Sequence, residues 1–204
     1  KKELLNLKKI TEKTRVIIPV HLHGRPCDMN SIMRLAKKYR LYVIEDAAHA
    51  IEAIYHGKKI GSLGDMTVFS FYATKNLSTG EGGMITTNNK KRADRLKRLR
   101  LHGLSSDGWK RYSVKYFKLY QAFEPGFKYN LTDIAASLGI HQLKRIENNL
   151  KRRQEIWAIY NDAFKDIPVL TLPAPIEERT RHAMHLYAVL LNVNKIGFSR
   201  NKFV

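Results

Sequence analysis

Cysteine is nearly absent from this chain: Cys27 is the only one in 204 residues. A single thiol closes no internal disulfide and builds no thiolate metal centre, which sets aside a disulfide-stapled secreted scaffold and a zinc module. No apolar run approaches the ~20 residues that a membrane-spanning helix requires. The first residues also lack the charged, apolar, small-residue order of a signal peptide, so a cytoplasmic chain without a membrane partner is expected. There is no internal repeat and no low-complexity tract. Acidic residues are scarce: 18 Asp and Glu stand against 37 Lys and Arg, a formal net charge of +19. Such an excess suits a polyanionic partner. The basic residues, however, crowd into 90–100, 144–153 and the first nine positions, segments whose helical periodicity leaves an outer face for water. Solvated helix faces are therefore the preferred reading, and a nucleic-acid partner is not expected.

With 44% hydrophobic residues the chain has material for one packed α/β domain and part of a second. Residues 16–20 read as a short buried strand, followed by the loop HLHGRPCD and an amphipathic helix over 29–40 with Asp28 as N-cap. A second buried strand, 41–45, makes this a βαβ unit, hence a parallel pair with a right-handed crossover. Asp46 falls at the carboxyl end of that strand, the edge where open parallel sheets bind ligands. HGKK suggests a turn between short strands and GSLGD a loop before a strand over 67–71. Lys75 follows, then the glycine-dense turn STGEGG, a strand over 84–87 and a basic helix over 89–101. Residues 102–130, with Trp109 among them, read as one long loop, either functional, in this site or a partner's, or disordered. A long helix is expected from Thr132 to Phe164, where Gly139 marks either a close contact or a break. The stretch IPVLTLPAPIEE places a boundary near 167, and 187–193 opens a new strand. The expected fold class is α/β, a mostly parallel sheet flanked by helices over 1–166, with the start of a small α+β domain over 167–204.

Taken singly, the polar residues near these strand ends have plain structural readings. Asp46 could cap a helix, Ser70 could be a strand-edge hydroxyl, His49 a satisfied core histidine, and Lys75 a solvated surface charge. Context singles out Lys75, which sits in a short loop after an apolar strand and before the glycine turn. A lysine that works as an amine nucleophile needs partial desolvation or a neighbouring cation, so that a useful fraction is neutral.

Three phrases then carry a specific resemblance: VIEDAAHAIEA, GSLGDMTVFSFYATKNLSTGEGGMITT and GFKYNLTDIAASLGIHQLKRIENNLKRR. In this order they resemble the DegT/DnrJ/EryC1/StrS family of nucleotide-sugar aminotransferases, from about residue 16 to 166 and more weakly through RHAMHLYAVLL. The resemblance implies the type I fold of pyridoxal 5'-phosphate enzymes and a role for each matching position. Lys75 would hold the cofactor as a Schiff base and shuttle a proton. Asp46 would pair with the pyridine nitrogen and keep it protonated, because a nearby anion favours the charged ring. Ala48 would pack on a ring face, His49 would bond near the phenolic oxygen or ring edge, and Ser70 would bond the phosphate. Lys128 and Asn130 are both candidates for reaching a partner subunit's phosphate. Many relatives carry Gln at the position of His49, an aromatic at that of His23 and Asn at that of Lys128. His21 and His23 lie in a loop that relatives place near the site, where structural roles weigh equally.

The resemblance further implies a homodimer, an amino-acid donor such as glutamate, and a nucleotide-linked keto-sugar as acceptor, in polysaccharide or secondary-metabolite sugar synthesis. It also implies flanking segments that supply part of the cofactor site, so this chain, beginning at Lys1, is expected to be an excerpt. Within the family, sugar dehydratases carry His where the lysine belongs, and Lys75 argues against that branch. A non-catalytic fragment or a basic binding module is the rival outside enzymology.

Overall fold

The computed structural model describes residues 9–104, 121–197 and 199–203. Its centre is a four-stranded sheet of β1 (Val16–Ile17), β2 (Tyr42–Asp46), β5 (Met66–Ser70) and β6 (Gly83–Thr86), in the order β1-β2-β5-β6. The first three are mutually parallel and β6 is antiparallel to β5, so the sheet is mostly parallel as expected. Between β2 and β5 a small hairpin joins β3 (Ile54–Tyr55) to β4 (Lys58–Lys59).

Helix α1 (Met29–Tyr39) crosses between β1 and β2. Its start is set by Asp28, which accepts the Ser31 N–H at 3.1 Å and the Ser31 hydroxyl at 2.8 Å. Its end is set by Arg40 in the left-handed region, φ 54, whose N–H returns to the last turn. The helix buries Met29, Ile32 and Ala36 against Val43, Phe69 and Tyr55, the core of the molecule.

Because side chains alternate along strands, Val43 and Glu45 of β2 and Thr67 and Phe69 of β5 face this core. The opposite face carries Val16, Ile18, Val20, Tyr42, Val68 and Ile85, all between 36% and 63% exposed. A parallel sheet is normally covered on both faces. Among the described residues only one face is.

Several boundaries differ from the sequence reading for identifiable reasons. The strand expected over 16–20 breaks after Ile17, because Pro19 has no N–H to donate, and pairing resumes as one bridge between Val20 and Asp46. Part of the expected loop 102–130 pairs, through Leu101 with Lys128 and Leu104 with Ala122. Residues 105–120, with Trp109, and the first eight positions lie outside the described residues.

The basic segment after β6 forms α2 (Lys90–Leu99), and α3 (Asp133–Phe164) runs 32 residues without interruption. Thr132 caps α3 through the Ala135 N–H at 3.2 Å. A Cβ on Gly139 would stand 3.1 Å from Thr79 Cγ2, so this glycine marks a close contact and not a break.

Of the strand expected over 187–193 only β8 (Leu190–Leu191) forms, antiparallel to β7 (Leu170–Thr171). The preceding backbone is committed elsewhere. Arg181 bridges Ile54, the Ala183 N–H goes to the Gly24 carbonyl, and the His185 N–H goes to that of His23. Two short helices, α4 (Val193–Ile196) and α5 (Arg200–Phe203), follow. Among the described residues no helix is long and apolar enough to cross a membrane.

Candidate active site

β2 and β5 lie side by side in parallel, so their carboxyl ends open on one edge. Asp46 closes β2, level with Val68 and Val20 of its two neighbours. Its Oδ1 accepts the Ala48 N–H at 3.0 Å, and among the described residues its other oxygen has no hydrogen-bond partner. Ala48 is half-buried in the turn that follows.

Beyond β5 the chain folds into a loop pinned at its base, where Phe71 donates to the Gly82 carbonyl and Thr79 to that of Phe71. Gly82 sits at φ +154, and a Cβ there would lie 2.6 Å from Thr79 Oγ1 and 2.9 Å from Leu131. The glycine-dense turn is thus required for α3 to pack close. Lys75 is on this loop, half-buried, its N–H bonded to the Tyr72 carbonyl at 2.9 Å. Among the described residues its ammonium takes part in no hydrogen bond or ion pair. Ser70 Oγ accepts the Tyr72 N–H at 3.3 Å, which leaves the hydroxyl proton to give.

His49 joins these two strand ends electrostatically. Burial lowers its pKa first, the Lys75 and His23 charges lower it further, and Asp46 opposes them. Its Nδ1 accepts the His23 N–H at 3.3 Å, so the proton of the neutral ring is on Nε2. The charges of Asp46 and Lys75 thus both act on His49 and make one electrostatic cluster with it, with Ala48 in the turn after β2 and Ser70 at the end of β5. Lys128 and Asn130 are not part of it: they bond to each other, and among the described residues no hydrogen bond, ion pair or ring contact ties either to Lys75.

His21 falls outside the cluster. It is fully buried, accepts the Cys27 N–H on Nδ1 at 3.0 Å and donates from Nε2 to Glu45 at 2.9 Å. Burial alone would raise the Glu45 pKa, but donors from His21, the Gly64 N–H and the Thr67 hydroxyl hold it below the usual range. Cys27 is pushed up to about 11 by burial and by the Glu45 and Asp28 charges, so it stays a thiol. His23, at φ 58, reaches the cluster through its backbone and lies 6.5 Å from the His49 ring.

A second layer escaped the sequence reading. The His185 ring stacks on His49 at 4.3 Å and bonds Asn76 at 2.8 Å. Asn76 also donates to Glu52 at 2.9 Å and to the Ala183 carbonyl at 3.0 Å. Glu52 is buried, pairs with Arg153 of α3, and receives Arg181 on its carbonyl. One signal was available: Glu52 is the lone charge in the apolar run AAHAIEA, and a buried carboxylate needs a cation. Surface hollows occur along α1, lined by Met33, Ala36 and Leu41, and between Asp28, Tyr55 and Glu178. Neither is lined by Lys75 or Asp46.

The frame is that of the sugar aminotransferases, a type I fold. It superposes on Helicobacter pylori PseC, an aminotransferase of pseudoaminic acid biosynthesis, with a TM-score of 0.84 and 31% identity, covering 92% of this chain and 48% of that one. A putative sugar aminotransferase of Streptococcus pneumoniae, Spr1654 in its PLP form, gives a TM-score of 0.80 at 30% identity over 94% of this chain and 55% of that one. Spore coat polysaccharide biosynthesis protein SpsC of Bacillus subtilis is 46% identical over 195 residues, 96% of this chain and 50% of SpsC. Residues 6–204 match the DegT/DnrJ/EryC1/StrS aminotransferase family, and the chain belongs to it. The match reaches beyond 16–166 at both ends. The chain spans about half the length of the curated relatives it matches.

Proposed function

We propose that this chain forms the lysine-bearing part of a pyridoxal-phosphate-dependent aminotransferase that moves an amino group, from glutamate, to a keto-sugar carried on a nucleotide. The observation that carries this reading is the convergence of Asp46, His49 and Lys75 where two adjacent parallel strands end. Their chemistry fits the cofactor group by group. Asp46 has one oxygen left for a ring nitrogen, His49 a donor for a phenolic oxygen, Ser70 a free proton for a phosphate, and Lys75 an unengaged amine. Ala48, next to Asp46, would pack against the ring. Bound there, the cofactor supplies an electron sink for the substrate carbon. The protein's part is to hold the ring by Asp46 and to move a proton with the Lys75 amine.

The part of SpsC in spore coat polysaccharide biosynthesis and of PseC in pseudoaminic acid biosynthesis supports a nucleotide-sugar substrate in polysaccharide biosynthesis. We further propose a cytoplasmic homodimer in which Lys128 or Asn130 reaches the neighbouring site, and a division near residue 167 into a large domain and the start of a small one. The test is optical. Pyridoxal phosphate added to the intact parent polypeptide produces a visible absorbance band that Lys75→Ala removes; the same band in both proteins, or none in either, overturns the reading.

A further inference from the structure

Four histidines, His21, His49, His182 and His185, each make a ring-nitrogen hydrogen bond that fixes which nitrogen carries the proton. In His21, His49 and His182 the Nδ1 accepts a backbone N–H, from Cys27, His23 and Met184 respectively, so all three are protonated on Nε2. His185 is different: its Nδ1 faces the side-chain amide oxygen of Asn76 at 2.8 Å.

The orientation of that amide is dictated by its other partners. The Asn76 nitrogen lies 3.0 Å from the Ala183 carbonyl, which can only accept, and 2.9 Å from the Glu52 carboxyl. Turning the amide over would set oxygen against oxygen at both contacts. Glu52 is itself held by Arg153, and Arg153 also reaches the Ala183 carbonyl at 3.4 Å. With its nitrogen committed, Asn76 offers only an acceptor to His185. The His185 proton must then be on Nδ1.

We propose that Asn76, the residue after Lys75, is a positioning residue that locks His185, the ring stacked on His49, as the Nδ1–H tautomer with an unprotonated Nε2. The groups around His185 favour this neutral ring. Burial first, then His49, Lys75, Arg153 and His23, lower its pKa to about 4. Through Nε2 the ring can therefore accept a hydrogen bond but cannot give one. In the aminotransferase reading, on which only this last step rests, the ring stacked on His49 takes a substrate hydroxyl or ammonium and refuses a bare acceptor. His185 in turn stacks on His49, so Asn76 orders both rings through one amide.

The test reads tautomers directly. Long-range proton–nitrogen spectra of the full chain with labelled histidine, recorded without cofactor, distinguish Nδ1–H from Nε2–H rings. The expected result is one Nδ1–H histidine among the buried set, lost or mixed in Asn76→Ala, with His21 unchanged as a reporter of the fold. A His185→Gln variant, which removes that signal and leaves the other histidines in place, assigns it to His185. His185 protonated on Nε2 in the unsubstituted chain, or an unchanged tautomer in a folded Asn76→Ala, overturns the proposal. Should Asn76→Ala fail to fold, the assigned His185 signal of the unsubstituted chain decides alone, and Nε2–H there overturns the proposal. Because no cofactor is present, these outcomes are separate from the fate of the Lys75 absorbance band.

Discussion

Glu45 shows how a residue adjacent in sequence to a site residue can be wholly structural. Next to Asp46 in sequence, it points to the opposite face of β2 and gathers three donors in the core. Its depressed pKa means that its stabilisation is present above the ordinary carboxylate range, near pH ~4.3, and is lost as pH falls through the folded value. Glu45→Gln would set an amide N–H against a donor and should cost about 2–3 kcal/mol at neutral pH. Urea midpoints at pH 7 and pH 4 check both claims, since the substituted chain should also lose part of the acid sensitivity. At this scale Asp46 and Lys75 were singled out by their place at strand ends, and His49 by the family resemblance. Asn76 and His185 were not: 109 positions separate them, and no local pattern announces their bond.

At the scale of elements, α3 is held to the Lys75 loop in two ways, one polar and one steric. Arg153 neutralises the buried Glu52, and its removal leaves an uncompensated charge. Arg153→Ala should therefore cost about 3–5 kcal/mol, and the double change with Glu52→Ala should cost less than the two singly added. A double-mutant cycle in chemical denaturation measures this.

Gly139 supplies the steric half. Gly139→Leu gains helix propensity but collides with Thr79, so a net loss of about 1–2 kcal/mol is expected, read from the same denaturation curves. The Asp28 cap and the helices over 29–40, 89–101 and 132–164 were readable from residue type and period. The shortening of the last strand to β8 was not, because the commitment of 181–186 to Ile54 and the loop at His23 acts through partners distant in the chain, whereas Pro19, which breaks the first strand, stood in view inside it.

For the whole molecule, the face bearing Val16, Ile18, Val20, Tyr42, Val68 and Ile85 is the dominant fact. An apolar face of this kind binds apolar dyes and promotes association. The 204-residue chain alone should enhance ANS fluorescence, and Val68→Lys should weaken both that signal and self-association in light scattering with little change in stability. The high positive charge opposes association at low salt, so added salt should increase it. The family, the βαβ order and the lysine in its loop were determined by the sequence by itself, because they rest on residue types at fixed short spacings. Only the tertiary structure decided that Asp46, His49 and Lys75 share an edge with His185, and that Asn76 sets the proton on that ring. Those relations depend on strand register and on a segment more than a hundred positions away folding back onto the loop at His23.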